Sequence, residues 1–145
     1  MITVYTDGSC LGNPGLGGMG MVVVDNDIAV LQLGIPSNEI TTNNRMELNA
    51  VIEILKRLYD YDFKEVHIIT DSNYVVKGST EWRAGWLKKN FKNVKNVDLW
   101  KELYNLLNDG NITFQWVKGH DKDKFNNMAD NIAVEAATTQ LLVQR

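Results

Sequence analysis

Four acidic residues of this chain stand where a globular protein seldom places a charge. Asp7 and Asp71 each close an apolar, β-branched run, residues 2–7 and 66–71. Glu47 lies in a helical pattern on the face of Ile54 and Leu58, whereas Glu53 and Arg57 point the other way. Asp130 sits among Ala133, Val134, Ala137 and Leu141, one side of a C-terminal helix. An Asp on such a stripe costs several kcal/mol of desolvation, on the order of a lost buried hydrogen bond or more, unless it is paired or metal-bound. Ligands of open α/β sheets gather at the carboxyl ends of strands. Four carboxylates meeting there repel one another unless cations neutralise them. An all-oxygen donor set suits Mg²⁺ or Mn²⁺ better than zinc.

Three of the four also have an ordinary structural alternative. Asp71 suits a helix N-cap, Asn44-x-x-Glu47 resembles a capping box, and Asp7 precedes a Gly-Ser turn. Asp130 lies too far into its helix to cap it. The joint occurrence of the four favours the metal reading.

The elements that must position these residues follow from periodicity. Residues 2–7, 18–25 and 28–33 read as strands, and Asp25-Asn26-Asp27 suits a hairpin between the last two. Helices are expected over 45–59, 72–77, 97–108 and 126–143, with Gly78 ending the second. Strands are expected over 65–70 and 111–117. The result is one α/β domain spanning residues 1–145, an antiparallel meander followed by βαβ-like units.

With 145 residues, 44% apolar and 23% charged, the chain can bury a substantial core. No apolar run reaches membrane-spanning length. The lone Cys10 forms no internal disulfide, which, with no apparent leader, suggests a cytoplasmic protein. Net charge is −3, so nucleic-acid contact requires a local basic surface. Arg83, Lys88, Lys89, Lys92 and Lys95 supply one, interleaved with Trp82, Trp86 and Phe91 and free of acids from Trp82 to Val97. Cations meet phosphates and aromatic rings stack on bases; a solvated helix with buried aromatics explains the same segment equally well.

Two motifs mislead. Residues 15–20, GlyLeuGlyGlyMetGly, match a dinucleotide fingerprint, but a strand follows where a helix must open. Asp121-Lys-Asp123 begins like a calcium loop, yet Phe125 stands at the next ligand position.

Longer motifs are more specific. Residues 7–15 (AspGlySerCysLeuGlyAsnProGly), 41–48 (ThrThrAsnAsnArgMetGluLeu), 70–75 (ThrAspSerAsnTyrVal), 95–100, 116–121 and 126–133 resemble type 1 ribonuclease H, in order and over nearly the whole chain. The resemblance implies a ribonuclease H-like α/β fold. Its five-stranded mixed sheet has three antiparallel and then two parallel strands, flanked by helices. It implies cleavage of the RNA strand of RNA–DNA hybrids with two Mg²⁺ ions, Mn²⁺ being the alternative, leaving 5′-phosphate and 3′-hydroxyl ends. Motif matching makes Asp7, Glu47, Asp71 and Asp130 the metal ligands and His120 a loop histidine that assists proton movement or product release. Cys10, Asn13, Asn43, Asn44 and Asn73 become contacts to the RNA–DNA minor groove. Thr42 and Asn96 hold a DNA-strand phosphate, Trp82 and Trp86 pack on the DNA strand, and Lys88 and Lys89 meet its phosphates. The basic segment is shorter than in the longest bacterial relatives, and two acids follow His120.

Two other classes of protein fit the residues less well. DNA-cutting integrases and resolvases share the broad fold but not residues 41–48 or the basic aromatic segment. A non-catalytic hybrid-binding module should have lost a ligand carboxylate. The expectation is a monomeric, Mg²⁺-dependent hybrid nuclease acting without a membrane or an obligate protein partner.

Overall fold

In a computed structural model, which describes residues 1–61, 65–108, 111–119 and 123–143, five strands form one mixed sheet. The strands are β1 (Ile2–Cys10), β2 (Gly15–Asp25), β3 (Ile28–Thr41), β4 (Val66–Thr70) and β5 (Ile112–Trp116), in the order β3-β2-β1-β4-β5. The first three pair antiparallel, and β4 and β5 add in parallel to β1. This is the mixed sheet implied by the motifs. The helices are α1 (Asn43–Leu58), α2 (Asn73–Ser79), α3 (Arg83–Lys88), α4 (Val97–Leu107) and α5 (Lys124–Val143). No helix among the described residues is long and apolar enough to cross a membrane.

Alternation along the strands divides the core into two layers. Val4, Met21, Val23 and Ile68 meet α1 and α4 through Val51, Ile54, Trp100 and Leu103. Tyr5, Val22 and Val24 meet Phe125 and Ala129 of α5. Helix α1 is held by Thr42, whose side chain accepts from the Arg45 N–H. The capping box at Asn44 does not form, because the helix begins one residue before that asparagine.

Several boundaries differ from expectation. Strand β1 runs on to Cys10, and β3 continues well beyond Leu33 to Thr41, because β2 offers a pairing partner along most of that length. Asn26 and Asp27 take positive φ angles of 50° and 63°, the turn that matches strand twist. Gly78 does not stop α2 but lies inside it; a Cβ there would fall 2.0 Å from the Trp100 ring. Tyr59, the last residue of the expected helix, follows α1 as its C-cap and is 67% exposed. The 83–88 segment forms the short helix α3, the helix that the structural alternative for this basic aromatic stretch offered, though without bounds.

The glycine-rich decoy acquires its explanation here. A Cβ on Gly20 would fall 2.0 Å from the Ala129 carbonyl oxygen, and one on Gly18 would fall 2.3 Å from that of Ala133. Bare backbone on β2 and small residues on α5 let helix and sheet approach closely. Gly20→Ala must push α5 outward and should cost about 1–3 kcal/mol of stability by overpacking. Gly85→Ala, whose Cβ would meet nothing within 4 Å, should be neutral or slightly stabilising. Urea denaturation of the two variants checks the contrast; equal midpoints would remove the close-packing role of Gly20.

Candidate metal centre and nucleic-acid surface

The parallel register of β1 and β4 creates the site. Tyr5 lies beside Ile69, and pairing stops there while β1 continues. Two residues further on, Asp7 and Asp71 stand at the point where the strands part. Asp7 is therefore not at the end of its own strand, as the apolar run suggested, but at the end of its pairing with β4. It sits opposite Gly20 of β2. Asp71 follows β4 directly, and it is not the cap of α2: Ser72 takes that role, accepting from the Val75 N–H at 3.2 Å. Trp116 Nε1 donates to the Asp71 carbonyl at 3.0 Å and braces the turn, a contact unread in the sequence.

Glu47 reaches the same point from α1. A Cβ on Gly8 would lie 2.5 Å from the Glu47 backbone nitrogen, so this glycine allows the first turn of α1 onto β1. Ligand oxygens of Asp7, Glu47 and Asp71 all lie within 4.8 Å of one another. Asp7 and Glu47 are buried, with 5% and 8% exposure. Asp130, from α5, lines the same open cleft, together with Asn43, Asn44, Asn73 and Tyr74. The described lining contains no Lys or Arg. Asp130 is half-buried rather than inside the apolar stripe, because α5 turns Ala129, Ala133 and Ala137 to the sheet and leaves Val134 42% exposed.

Burial, and next the Asp7 charge and hydrogen bond, push the Glu47 carboxyl well above the usual carboxylate range. Asp71 adds to the rise, and the Gly8 N–H opposes it. Glu47 Oε2 is fully buried with no hydrogen-bond partner among the described residues. A buried acceptor without a donor, inside a cluster of oxygen ligands, is a fit for a hard divalent cation.

The surface around the cleft carries the remaining motif residues. Cys10 ends β1, its Sγ 3.5 Å from the Thr41 carbonyl oxygen and 3.6 Å from that of Gly15. Burial raises its thiol pKa, partly offset by the contact to Gly15. Asn13 Oδ1 accepts from the Asn43 N–H at 3.1 Å, tying the β1–β2 turn to α1. Asn96, in the left-handed region at φ 56°, precedes α4 without a side-chain capping bond. Trp82 and Trp86 lie 5.4 Å apart between ring centres, and Trp86 packs edge-on against buried Trp100 at 5.2 Å. Lys88 and Lys89 are exposed at the end of α3. Trp86 is half-buried against the core, while Trp82 and the lysines face outward. Sequence reading missed Tyr74, whose hydroxyl accepts from both Asn96 Nδ2 and Trp100 Nε1 at 3.1 and 2.9 Å. His120, with the Asp121 and Lys122 that follow it, lies outside the described residues.

Without metal, the folded protein retains a proton on Glu47 that the unfolded chain releases near the ordinary carboxylate pKa. That contribution is fully present below the unfolded pKa and is lost as pH rises through the higher folded one. In EDTA the melting temperature should therefore fall as pH rises above about 4.3, and Glu47→Gln should flatten the fall. Asp7→Asn should raise the melting temperature in EDTA by about 2–4 °C, equivalent to about 1 kcal/mol of relieved repulsion, and abolish stabilisation by added Mg²⁺. Calorimetry across pH decides, and a wild-type slope in Glu47→Gln would refute the assignment.

Residues 1–138 match the family described as RNase H. The chain is 43% identical to "Ribonuclease H" of Ruthia magnifica, covering 95% of this chain and 98% of that protein. It is 45% identical to "Ribonuclease HI" of Campylobacter jejuni, covering 94% and 90%. Among solved structures it resembles LC9-RNase H1, described as a type 1 RNase H with the type 2 active-site motif. The TM-score is 0.83 at 32% identity, over 96% of this chain and 72% of that one.

Proposed function

The chain belongs to the ribonuclease H family, and we propose that it is an endonuclease that hydrolyses the RNA strand of RNA–DNA hybrids with two divalent cations, Mg²⁺ foremost. The observation that carries this reading is the convergence of Asp7, Glu47 and Asp71 within 4.8 Å. Asp130 lines the same cleft.

Asp7, Glu47, Asp71 and Asp130 would hold the cations. Bound there, the cations supply an activated water and charge stabilisation at the leaving oxygen, the chemistry that leaves 5′-phosphate and 3′-hydroxyl ends. The protein's own part is placement. Only the 2′-hydroxyl distinguishes RNA from DNA at a given position. Asn43, Asn44 and Asn73 border the acidic cleft with side chains that both donate and accept. Cys10 and Asn13 extend this polar border along the β1–β2 turn. Thr42 and Asn96 are assigned to a phosphate of the DNA strand, Trp82 and Trp86 to its sugars and bases, and Lys88 and Lys89 to phosphates further along. Such contacts fix the position of the hybrid without reading sequence. His120 is assigned from its motif to proton movement or product release, a role for which imidazole chemistry is suited. The chain is proposed to act as a monomeric, cytoplasmic enzyme, with residues 1–145 forming one ribonuclease H domain.

A hybrid cleavage assay with and without EDTA tests the reading. Purified protein with Mg²⁺ should cut the RNA of a hybrid, spare duplex DNA and lose activity in EDTA. Equal cutting of both substrates would refute it. Loss of any of the four carboxylates should nearly abolish cleavage, whereas His120→Ala should only slow turnover.

Hybrid affinity should fall with salt, since each neutralised phosphate releases counterions. Replacing Lys88 and Lys89 together by Ala should flatten that dependence. An unchanged slope in a titration from low to moderate salt would detach α3 from the substrate.

A further inference from the structure

Asp98 is a puzzle on a surface assigned to a polyanion. It lies in the first turn of α4, its side chain is 64% exposed, and it stands two residues from Asn96. Coulomb's law alone makes a bare carboxylate beside a phosphate contact unfavourable. Its partner explains its place. Arg45 donates to both Asp98 oxygens, at 3.1 Å from Nη1 and 2.7 Å from Nη2. The same Nη1 donates to Asn96 Oδ1 at 3.2 Å.

The amide of Asn96 is thereby clamped from both sides, and donor chemistry fixes which way round it sits. A guanidinium has no acceptor, so the group facing Arg45 must be the amide oxygen. On the other side stands the Tyr74 hydroxyl, 3.1 Å from Asn96 Nδ2. Trp100 Nε1, a donor only, also points at that hydroxyl from 2.9 Å. One amide N–H of Asn96 is thus used on Tyr74, and the second has no partner among the described residues. Arg45 further links this amide to Thr42, which accepts from the Arg45 backbone N–H at 3.3 Å. The two residues assigned to one DNA-strand phosphate are joined through a single arginine, and that arginine is held by Asp98.

Resting on the hybrid-nuclease reading above, we infer that Asp98 is a positioning residue: through Arg45 it holds the Asn96 amide with its free N–H presented to a DNA-strand phosphate. The negative charge is tolerated on this surface because Arg45 neutralises it while being aimed by it.

Steady-state cleavage of a hybrid by the full-length enzyme tests this, because charge and positioning predict opposite signs. Asp98→Asn removes one negative charge and weakens the bidentate grip, and it should raise KM about three- to tenfold, the scale of one ordinary hydrogen bond. The loss should fall in KM rather than kcat, and Asp98→Glu should recover most of it. Glu102→Gln is the control, an acid on the same helix engaged with Lys56 at 2.5 Å, away from Asn96. It removes the same charge and should leave KM unchanged or lower it. In an Asn96→Ala background Asp98→Asn should add no further rise. A KM that falls or stays fixed in Asp98→Asn, or a full additional rise in the Asn96→Ala background, overturns the positioning role. Wild-type KM in Asn96→Ala removes the phosphate assignment of Asn96 and this inference with it. A wild-type enzyme that leaves hybrids intact refutes the proposed function itself.

Discussion

Mutual repulsion of buried carboxylates is the constraint around which this molecule is arranged. Glu47 is buried against Asp7 with Asp71 close by, and one of its oxygens has no hydrogen-bond partner among the described residues. In a protein selected only for stability, such a group would be replaced, since an unsatisfied buried acceptor costs about 1–3 kcal/mol. Here the arrangement is supported from three directions. The parallel register of β1 and β4 brings Asp7 and Asp71 together, Gly8 lets α1 deliver Glu47, and Trp116 holds the turn at Asp71. Each support is ordinary packing or hydrogen bonding whose effect is to hold like charges together. The stored repulsion is available as binding energy to a divalent cation held there.

That arrangement was legible in the sequence to the extent that periodicity and residue type conflicted. An Asp ending a β-branched run, or a Glu on an apolar helix face, is visible without coordinates because a core position is occupied by a charge. The fold class was legible for the same reason, since strand and helix periods alternate clearly. What periodicity could not give was the extent of pairing. Asp7 read as a strand end, yet β1 continues three residues beyond it, because β2 still offers a partner after β4 has stopped. Asp130 was found for a partly mistaken reason: its four apolar neighbours are not all buried, and it lies at the edge of the stripe. Side-chain networks were less legible still. Tyr74, Trp116 and Asp98 act through partners 22 to 53 residues away, which no local pattern reveals.

The glycine-rich segment joins the two halves of the structure. Read as a sequence motif it points to a dinucleotide, and the strand that follows it excludes that. In the fold its glycines bring β2 against α5 at Ala129 and Ala133, on either side of Asp130 in the chain. Asp130 is thus positioned by close contact of backbone with backbone, its carboxylate making no hydrogen bond among the described residues. A helix seated on glycines and alanines has little side-chain bulk to absorb a shift, so overpacking at Gly20 would displace α5 as a unit. The motif that failed as a ligand signature therefore sets where the fourth carboxylate stands. Stability of the helix–sheet contact and geometry of the acidic cleft are one property of this chain.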